Sequence, residues 1–431
     1  MSVTLIALVI IGGFVLLLCM GVEIAVAMGV MASLGFVFFV NKPQVEIAWT
    51  AWTTLDSFTL LAMTFFIFMG AIFANTGVVK TLFLAADKWL GWLPGGLVSS
   101  VLGACAVFGA MSGSSVAAAA TFSTITFPEM EKRGYDPKLA LGAIAVGGTL
   151  SVLIPPSIIL IVYGSWQNQS VARLFAAAMI PGVIATLLLI LTVMIMVAFN
   201  RKLVPKRVKA TWSERIIAIR DILPWLLLIG LILGAIFGGI MTPTEASALG
   251  GVLSVLMALA YRKLTFKAFK DSFLAAVKVS AMIGFIMVGA RLLSFVLQAS
   301  GLTEVFGKMM LNLPFGRYGM FTIICIMYLI LGCFLDSMSM MLLTLPFVMP
   351  VLASLNFNPV WWGVVYVILA EIGMVTPPFG LNLFTIQSVL PKFPVTTIAR
   401  GSLPFIPPML LVIVALTVWP QLAMWLPGVL Y

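Results

Sequence analysis

The chain has 431 residues, 62% of them hydrophobic and 9% charged, with a net charge of +10 and a mean hydropathy of +1.19. A soluble domain carries about 25% charged residues, so the composition describes an integral membrane protein. Its basic excess then reports orientation in the bilayer and not nucleic-acid binding. There is no histidine, and the four cysteines lie singly in apolar stretches, which excludes a Ser–His catalytic pair, a disulfide frame and a metal-ligand cluster.

Runs close to the ~20 apolar residues that cross a bilayer predict spans at about 2–20, 23–40, 57–76, 138–166, 172–199, 222–241, 245–261, 273–298, 360–388 and 403–425. The first 20 residues lack a basic leading segment and a small-residue cleavage site, so they read as a spanning helix and not as a signal peptide. Residues 78–96, with Trp89 and Trp92, suit the headgroup region, as a lateral arm or a plain connecting helix.

Two further apolar stretches, about 97–127 and 319–349, have polar or glycine-rich centres and are read as re-entrant hairpins. With both hairpins entering and leaving on one side, 19 of the 24 basic residues collect on one side of the membrane. Lys42, Arg173, Lys308 and Arg317 fall on the other side, and Arg291 lies within a span. The richer side is cytoplasmic by the positive-inside rule, and both termini then face outward. The basic connection 200–221 anchors that orientation, with membrane lipid headgroups as the other partner it suits.

Four proline pairings suggest an internal repeat at an offset of 222 residues: Pro155 and Pro156 with Pro377 and Pro378, Pro128 with Pro350, Pro137 with Pro359. Ser115 matches Ser337 and Glu23 matches Glu245 at the same offset. The first half, 1–199, starts outside and the second, 222–431, starts inside. The expected fold is an all-α polytopic membrane protein of two inverted repeats. Each repeat has a re-entrant helical hairpin and an interrupted helix, the latter at about 138–166 and 360–388; a linking helix at 172–199 closes the first half.

Paired interruptions in two halves point to a transporter site at the bilayer midplane. Carbonyls freed by the prolines suit a small hard cation such as Na⁺, and the helix starts that follow suit a carboxylate. The alternative is that the prolines only kink their helices. The hairpin centres carry Ser112, Gly113, Ser114 and Ser115 in one half, and Asp336, Ser337 and Ser339 in the other. Intramembrane ionisable groups are functional candidates: Asp336 suits a Na⁺ ligand, a proton carrier or a structural pair. Glu371 can coordinate, titrate or pair with a base; Arg291 can meet a substrate carboxylate, pair with an acid or snorkel. Glu23 and Glu245, at loop-to-helix junctions, are expected to cap helices.

The stretches "FGAMSGSSVAAAATFSTITFPEMEKRGYDPKLALGAIAVGGTLSVLIPPSIILIVYG" and "GMVTPPFGLNLF" resemble the large membrane subunit of tripartite ATP-independent periplasmic (TRAP) transporters, and the resemblance covers essentially the whole chain. It implies multi-pass residence in the bacterial inner membrane and Na⁺-coupled uptake of an organic acid anion, of the sialic acid or C4-dicarboxylate class. An elevator mechanism is implied, with a scaffold and a mobile transport domain, and no catalytic residue. A small four-helix membrane subunit and a periplasmic substrate-binding protein are the implied partners. Some members fuse the small subunit to the large one; the start "MSVTLIALVI" suggests a separate chain here.

Matched by stretch, one sodium site combines Ser112, Ser114 and Ser115 with Gly147, Gly148 and Pro155. The second combines Asp336 and Ser337 with Gly373, Thr376 and Pro377. Substrate is expected near Ser157, Ser115, Ser337 and Arg291. Phe379 stands where the first half has Ser157, so the two sites are not equivalent. A stand-alone Na⁺/dicarboxylate symporter of similar architecture is the competing reading; a passive channel and a Ser–Lys hydrolase fit less well.

Overall fold

The computed structural model describes residues 3–40, 44–205 and 211–431; Lys42, and Lys206, Arg207 and Lys209 of the basic connection, lie outside them. Among the described residues the chain is helix and turn throughout, with no strand. The first half runs α1 (Val3–Cys19), α2 (Ile24–Gly35, continued as a π-turn to Val40), α3 (Gln44–Leu55), α4 (Phe58–Thr76), α5 (Val79–Leu90), α6 (Leu97–Ser112), α7 (Ser115–Lys132), α8 (Pro137–Leu153), α9 (Ile158–Gln167) and α10 (Val171–Phe199). The second runs α11 (Trp212–Phe237), α12 (Pro243–Ala260), α13 (Phe266–Ala299), α14 (Leu302–Leu311), α15 (Gly316–Gly332), α16 (Ser337–Ser354), α17 (Pro359–Met374), α18 (Leu381–Val389), α19 (Val395–Ser402), α20 (Ile406–Val418) and α21 (Gln421–Leu430).

Helix starts recur with the 222-residue offset: Ser115 and Ser337 open α7 and α16, Pro137 and Pro359 open α8 and α17. The local chemistry recurs too. Asp136 caps α8 by accepting from the Leu139 amide at 3.0 Å, and Asn358 caps α17 by accepting from Val360 at 2.8 Å and Trp361 at 3.2 Å. In both cases proline fills the first helical position, where its missing N–H costs nothing. Ser114 and Asp336 likewise cap the second arms of the two hairpins.

The expected spans coincide with helices whose ends are shifted, and three points depart from the expectation. The first half has a further helix, α3, separated from α4 at Asp56 and Ser57, whereas residues 266–299 form one unbroken helix of 34 residues. The span expected at 403–425 is divided: α20 stops at Val418 and α21 begins anew after Pro420, because proline cannot supply the next helical N–H. The span expected at 222–241 begins ten residues earlier, at Trp212, where Thr211 and Glu214 form a reciprocal capping box.

Close packing relies on small residues, as expected where lipid removes much of the hydrophobic drive between helices. A Cβ on Gly148 would stand 2.9 Å from the Ser115 carbonyl oxygen, and one on Gly147 would stand 2.9 Å from Cys105 Sγ. Gly142 and Gly401 meet backbone to backbone where α19 crosses α8. The pair α8–α9 is almost wholly enclosed by its neighbours; α13 packs on α2 and α4, α4 packs on α12, and α4 also touches α6 and α9.

The two broken helices lie side by side and antiparallel. The Tyr163 hydroxyl, midway along α9, donates to the Pro359 carbonyl at the start of α17 at 2.6 Å. Asn382, at the start of α18, donates to Ala145 within α8 at 3.3 Å. On the basic side, α5 leans on α6 and α11 and is tied down by Lys88 to Glu214 at 2.8 Å and Asp87 to Arg133 at 3.5 Å. Lys392 holds Glu131 at 2.6 Å, joining the base of the first hairpin to the segment after α18. Burial pushes the Asp87 carboxyl above its ordinary range, against the opposing pull of Arg133 and Lys88.

Candidate transport site

Each hairpin closes at its tip against the break of its own half. Gly113, in the left-handed conformation at φ 57°, ends α6, and a Cβ there would stand 3.1 Å from the Ile158 amide and 3.2 Å from the Pro156 carbonyl. In the second half the Gly380 amide donates to the Cys333 carbonyl at 3.4 Å. Gly332 and Gly373 bring α15 and α17 into backbone contact; a Cβ on Gly332 would stand 3.0 Å from Gly373 Cα. The breaks interrupt α8–α9 and α17–α18 near their middles, with Pro155–Pro156 and Pro377–Pro378 both cis.

At the first tip Ser112 is buried and its hydroxyl has no partner. Ser114 accepts from the Ala117 amide at 3.4 Å, capping α7. Ser115 is buried and its hydroxyl faces the Glu371 carboxylate. Ser157 is fully buried and caps α9, accepting from the Leu160 amide at 3.4 Å. At the second tip Asp336 accepts from the Met338 and Ser339 amides, both at 3.0 Å. Thr376 donates to the Ile372 carbonyl at 2.6 Å, and Ser402 donates to Val375 at 2.9 Å.

Glu371 joins the two tips. It is 1% exposed, Oε1 accepts from Ser337 Oγ at 3.4 Å, and Oε2 is buried with no partner. Ser115 of the first half and Ser337 of the second therefore address one carboxylate. The Tyr366 hydroxyl bonds the Ser337 carbonyl and fixes that tip on α17. Sequence reasoning marked Glu371 as ionisable within a span but did not place it between the tips. The corresponding residue of the first half is Thr149, whose hydroxyl is satisfied by the Val146 carbonyl at 2.6 Å. The carboxylate is thus a property of one half alone.

The two breaks also differ in exposure. Pro155, Pro156 and Ser157 are buried, whereas Pro377, Pro378 and Phe379 are exposed. Phe379 meets Phe334 in a tilted contact at 5.6 Å and stacks on Phe384 at 6.3 Å between ring centroids.

Arg291 is not brought to the tips. Its guanidinium lies 4.0 Å over the Trp166 ring and donates to the Trp166 carbonyl at 3.1 Å. Trp166 is nine residues beyond Ser157, about 14 Å along α9 at 1.5 Å per residue. A cation on an aromatic face beside a helix C-terminus is well satisfied there. Glu245 closes a capping box with Thr242, while Glu23 stands at the start of α2 without a side-chain cap. Neither reaches the tips.

Buried oxygens without partners, at Ser112, Glu371 and Asn382, suit a small hard cation, which takes oxygen ligands. Every such atom left bare costs its desolvation. The fold as a whole superposes on that of the YdaH transporter of Alcanivorax borkumensis with a TM-score of 0.62 at 13% identity, over 98% of this chain and 99% of that one. The sequence narrows the class. Residues 11–422 match the family profile of the tripartite ATP-independent periplasmic transporter, DctM component, and the chain belongs to that family. It is 32% identical to the C4-dicarboxylate TRAP transporter large permease protein DctM of Vibrio cholerae, covering 100% of this chain and 98% of that protein. It is 29% identical to the sialic acid TRAP transporter large permease protein SiaM of the same organism, over 86% of this chain and 87% of that one.

Proposed function

We propose that the chain drives sodium-coupled uptake of an organic acid anion, of the sialic acid or C4-dicarboxylate class, across the bacterial inner membrane by an elevator motion. Substrate arrives from a periplasmic binding protein, and a small four-helix membrane subunit completes the permease. The observation that carries the reading is Glu371, held between Ser115 of one hairpin and Ser337 of the other. A cation bound at either tip changes the field at the same buried carboxylate, so the two halves are coupled at one point.

In this reading residues 1–199 and 222–431 are inverted repeats, a view supported by the helix starts 222 residues apart and by the antiparallel broken helices. The hairpins and broken helices, α6–α9 and α15–α18, form the moving unit, and α2, α4 and α11–α13 belong to the scaffold. One sodium ion is held by Ser112, Ser114 and Ser115 with the backbone around Gly147, Gly148 and Pro155. A second is held by Asp336, Ser337, Gly373, Thr376 and Pro377. When bound, sodium supplies positive charge that offsets the buried carboxylate and firms the tips. The substrate carboxylate then meets the helix starts after the breaks, beside Ser157, Ser115 and Ser337.

The test is uptake into proteoliposomes holding this chain and its small subunit, with an inward Na⁺ gradient and candidate acids loaded on the periplasmic protein. Uptake that needs both the gradient and the protein supports the reading. Uptake by this chain alone, without the periplasmic protein, overturns it in favour of a stand-alone symporter.

A further inference from the structure

A long groove lies away from the hairpins, between α11 and α12. Its volume is about 770 Å³, and its wall is almost wholly apolar, with Pro224, Leu227, Leu231 and Leu256 along it. Arg220, Asp221 and Tyr261 sit together at one end. From Arg220 to Leu231 is eleven residues of helix, about 16 Å at 1.5 Å per residue. That is half of the ~30 Å hydrocarbon thickness, the depth of a single leaflet.

The charge is as one-sided as the wall. Arg262 and Lys263 follow Tyr261 directly, both exposed, so three cations stand at the polar end against the one carboxylate of Asp221. Among the described residues none of the three cations makes a salt bridge. Leu227, Leu231 and Leu256 are each more than half exposed. An apolar trough one leaflet deep with unpaired cations at its interfacial end complements an anionic amphiphile.

We infer that the groove between α11 and α12 is a binding site for an anionic glycerophospholipid of the basic-side leaflet. The acyl chain lies along Pro224, Leu227, Leu231 and Leu256, and the phosphate sits among Arg220, Arg262, Lys263 and the Tyr261 hydroxyl. The leaflet assignment rests on the orientation that places the basic connections in the cytoplasm; the site itself does not. The lipid fills the face of α11 next to the one that Lys88 ties to the α5 arm through Glu214, and so braces the helix that carries the arm.

The experiment is native mass spectrometry of the full chain, delipidated in detergent and titrated with phosphatidylglycerol or phosphatidylcholine. The wild type should retain one phosphatidylglycerol in preference to phosphatidylcholine. In R220Q/R262Q/K263Q the affinity should fall on the order of 100-fold, at about fivefold for each interfacial charge removed. Leu227→Trp, which fills the trough and leaves the charges, should lose retention at unchanged thermal stability. Equal retention by the triple variant or by Leu227→Trp, or equal binding of both lipids, overturns the inference. Displacement of the lipid by added small subunit also overturns it, by making the groove a protein interface.

Discussion

Glu371→Gln keeps the side-chain shape at the junction of the two tips and removes its charge. An ionised carboxylate taken out of water costs several kcal/mol even after relaxation. Here the carboxylate accepts from Ser337 at a long 3.4 Å with the Ser115 hydroxyl facing it, and Oε2 is bare. A hydrogen bond to a charged group returns about 1.5–3 kcal/mol at good geometry, so the cation-free site keeps a deficit of about 2–4 kcal/mol. On the proposed reading, sodium removes that deficit in the wild type. At a Na⁺ concentration of about 100 times Kd, binding adds about 2.7 kcal/mol to stability. The variant should therefore melt a few degrees higher than the wild type in Na⁺-free detergent and lose most of the Na⁺-induced rise. Its Na⁺ affinity should drop by tenfold or more, and uptake at a fixed Na⁺ gradient should fall with it. The readouts are melting with and without Na⁺ and uptake in proteoliposomes. A variant that keeps both the wild-type Na⁺ shift and wild-type uptake refutes the reasoning.

Gly148→Val places a side chain 2.9 Å from the Ser115 carbonyl oxygen, which is backbone and cannot turn away. Overpacking of this kind costs about 1–3 kcal/mol and should displace the first tip, lowering the Na⁺ shift while membrane insertion is kept. Gly234→Ala, with nothing within 4 Å of the new Cβ, should leave the shift intact. Arg291→Gln removes the stack on Trp166 and should cost about 1–2 kcal/mol without changing the substrate concentration for half-maximal uptake; a tenfold rise in that concentration would place Arg291 at the substrate instead. The Asp87 carboxyl is raised above 3.8 by burial, so the native state holds the proton to higher pH than the unfolded chain. Stability at that position is full below pH 3.8 and falls as pH rises through the raised value. Melting curves of Asp87→Asn should lack that part of the acid slope, and an unchanged slope would contradict the burial of the charge.

The hairpins and breaks were legible because their chemistry is local. Paired prolines, glycine and serine at the tips, and Asp136 and Asn358 before a proline announce helix ends within a few residues. The extra helix α3 was not announced, since only Asp56 and Ser57 mark the place where the first half divides and the second half runs on. The meeting of Ser115, Ser337 and Glu371 was also hidden. It depends on how two hairpins from different halves dock, and Ser115 and Glu371 are 256 positions apart. Arg291 looked available for a substrate because its partner, the ring and carbonyl of Trp166, is 125 positions away. A charge in an apolar run shows that it needs a partner, not which one it has.

Sodium coupling at the shared carboxylate is tested most directly by following radiosodium and labelled substrate together in the same proteoliposomes, with the small subunit and the loaded periplasmic protein present. The account predicts that sodium entry accompanies substrate entry in a fixed ratio in the wild type, and that Ser115→Leu and Ser337→Leu depress both in parallel. Substrate entry at the wild-type rate with no accompanying sodium would contradict it.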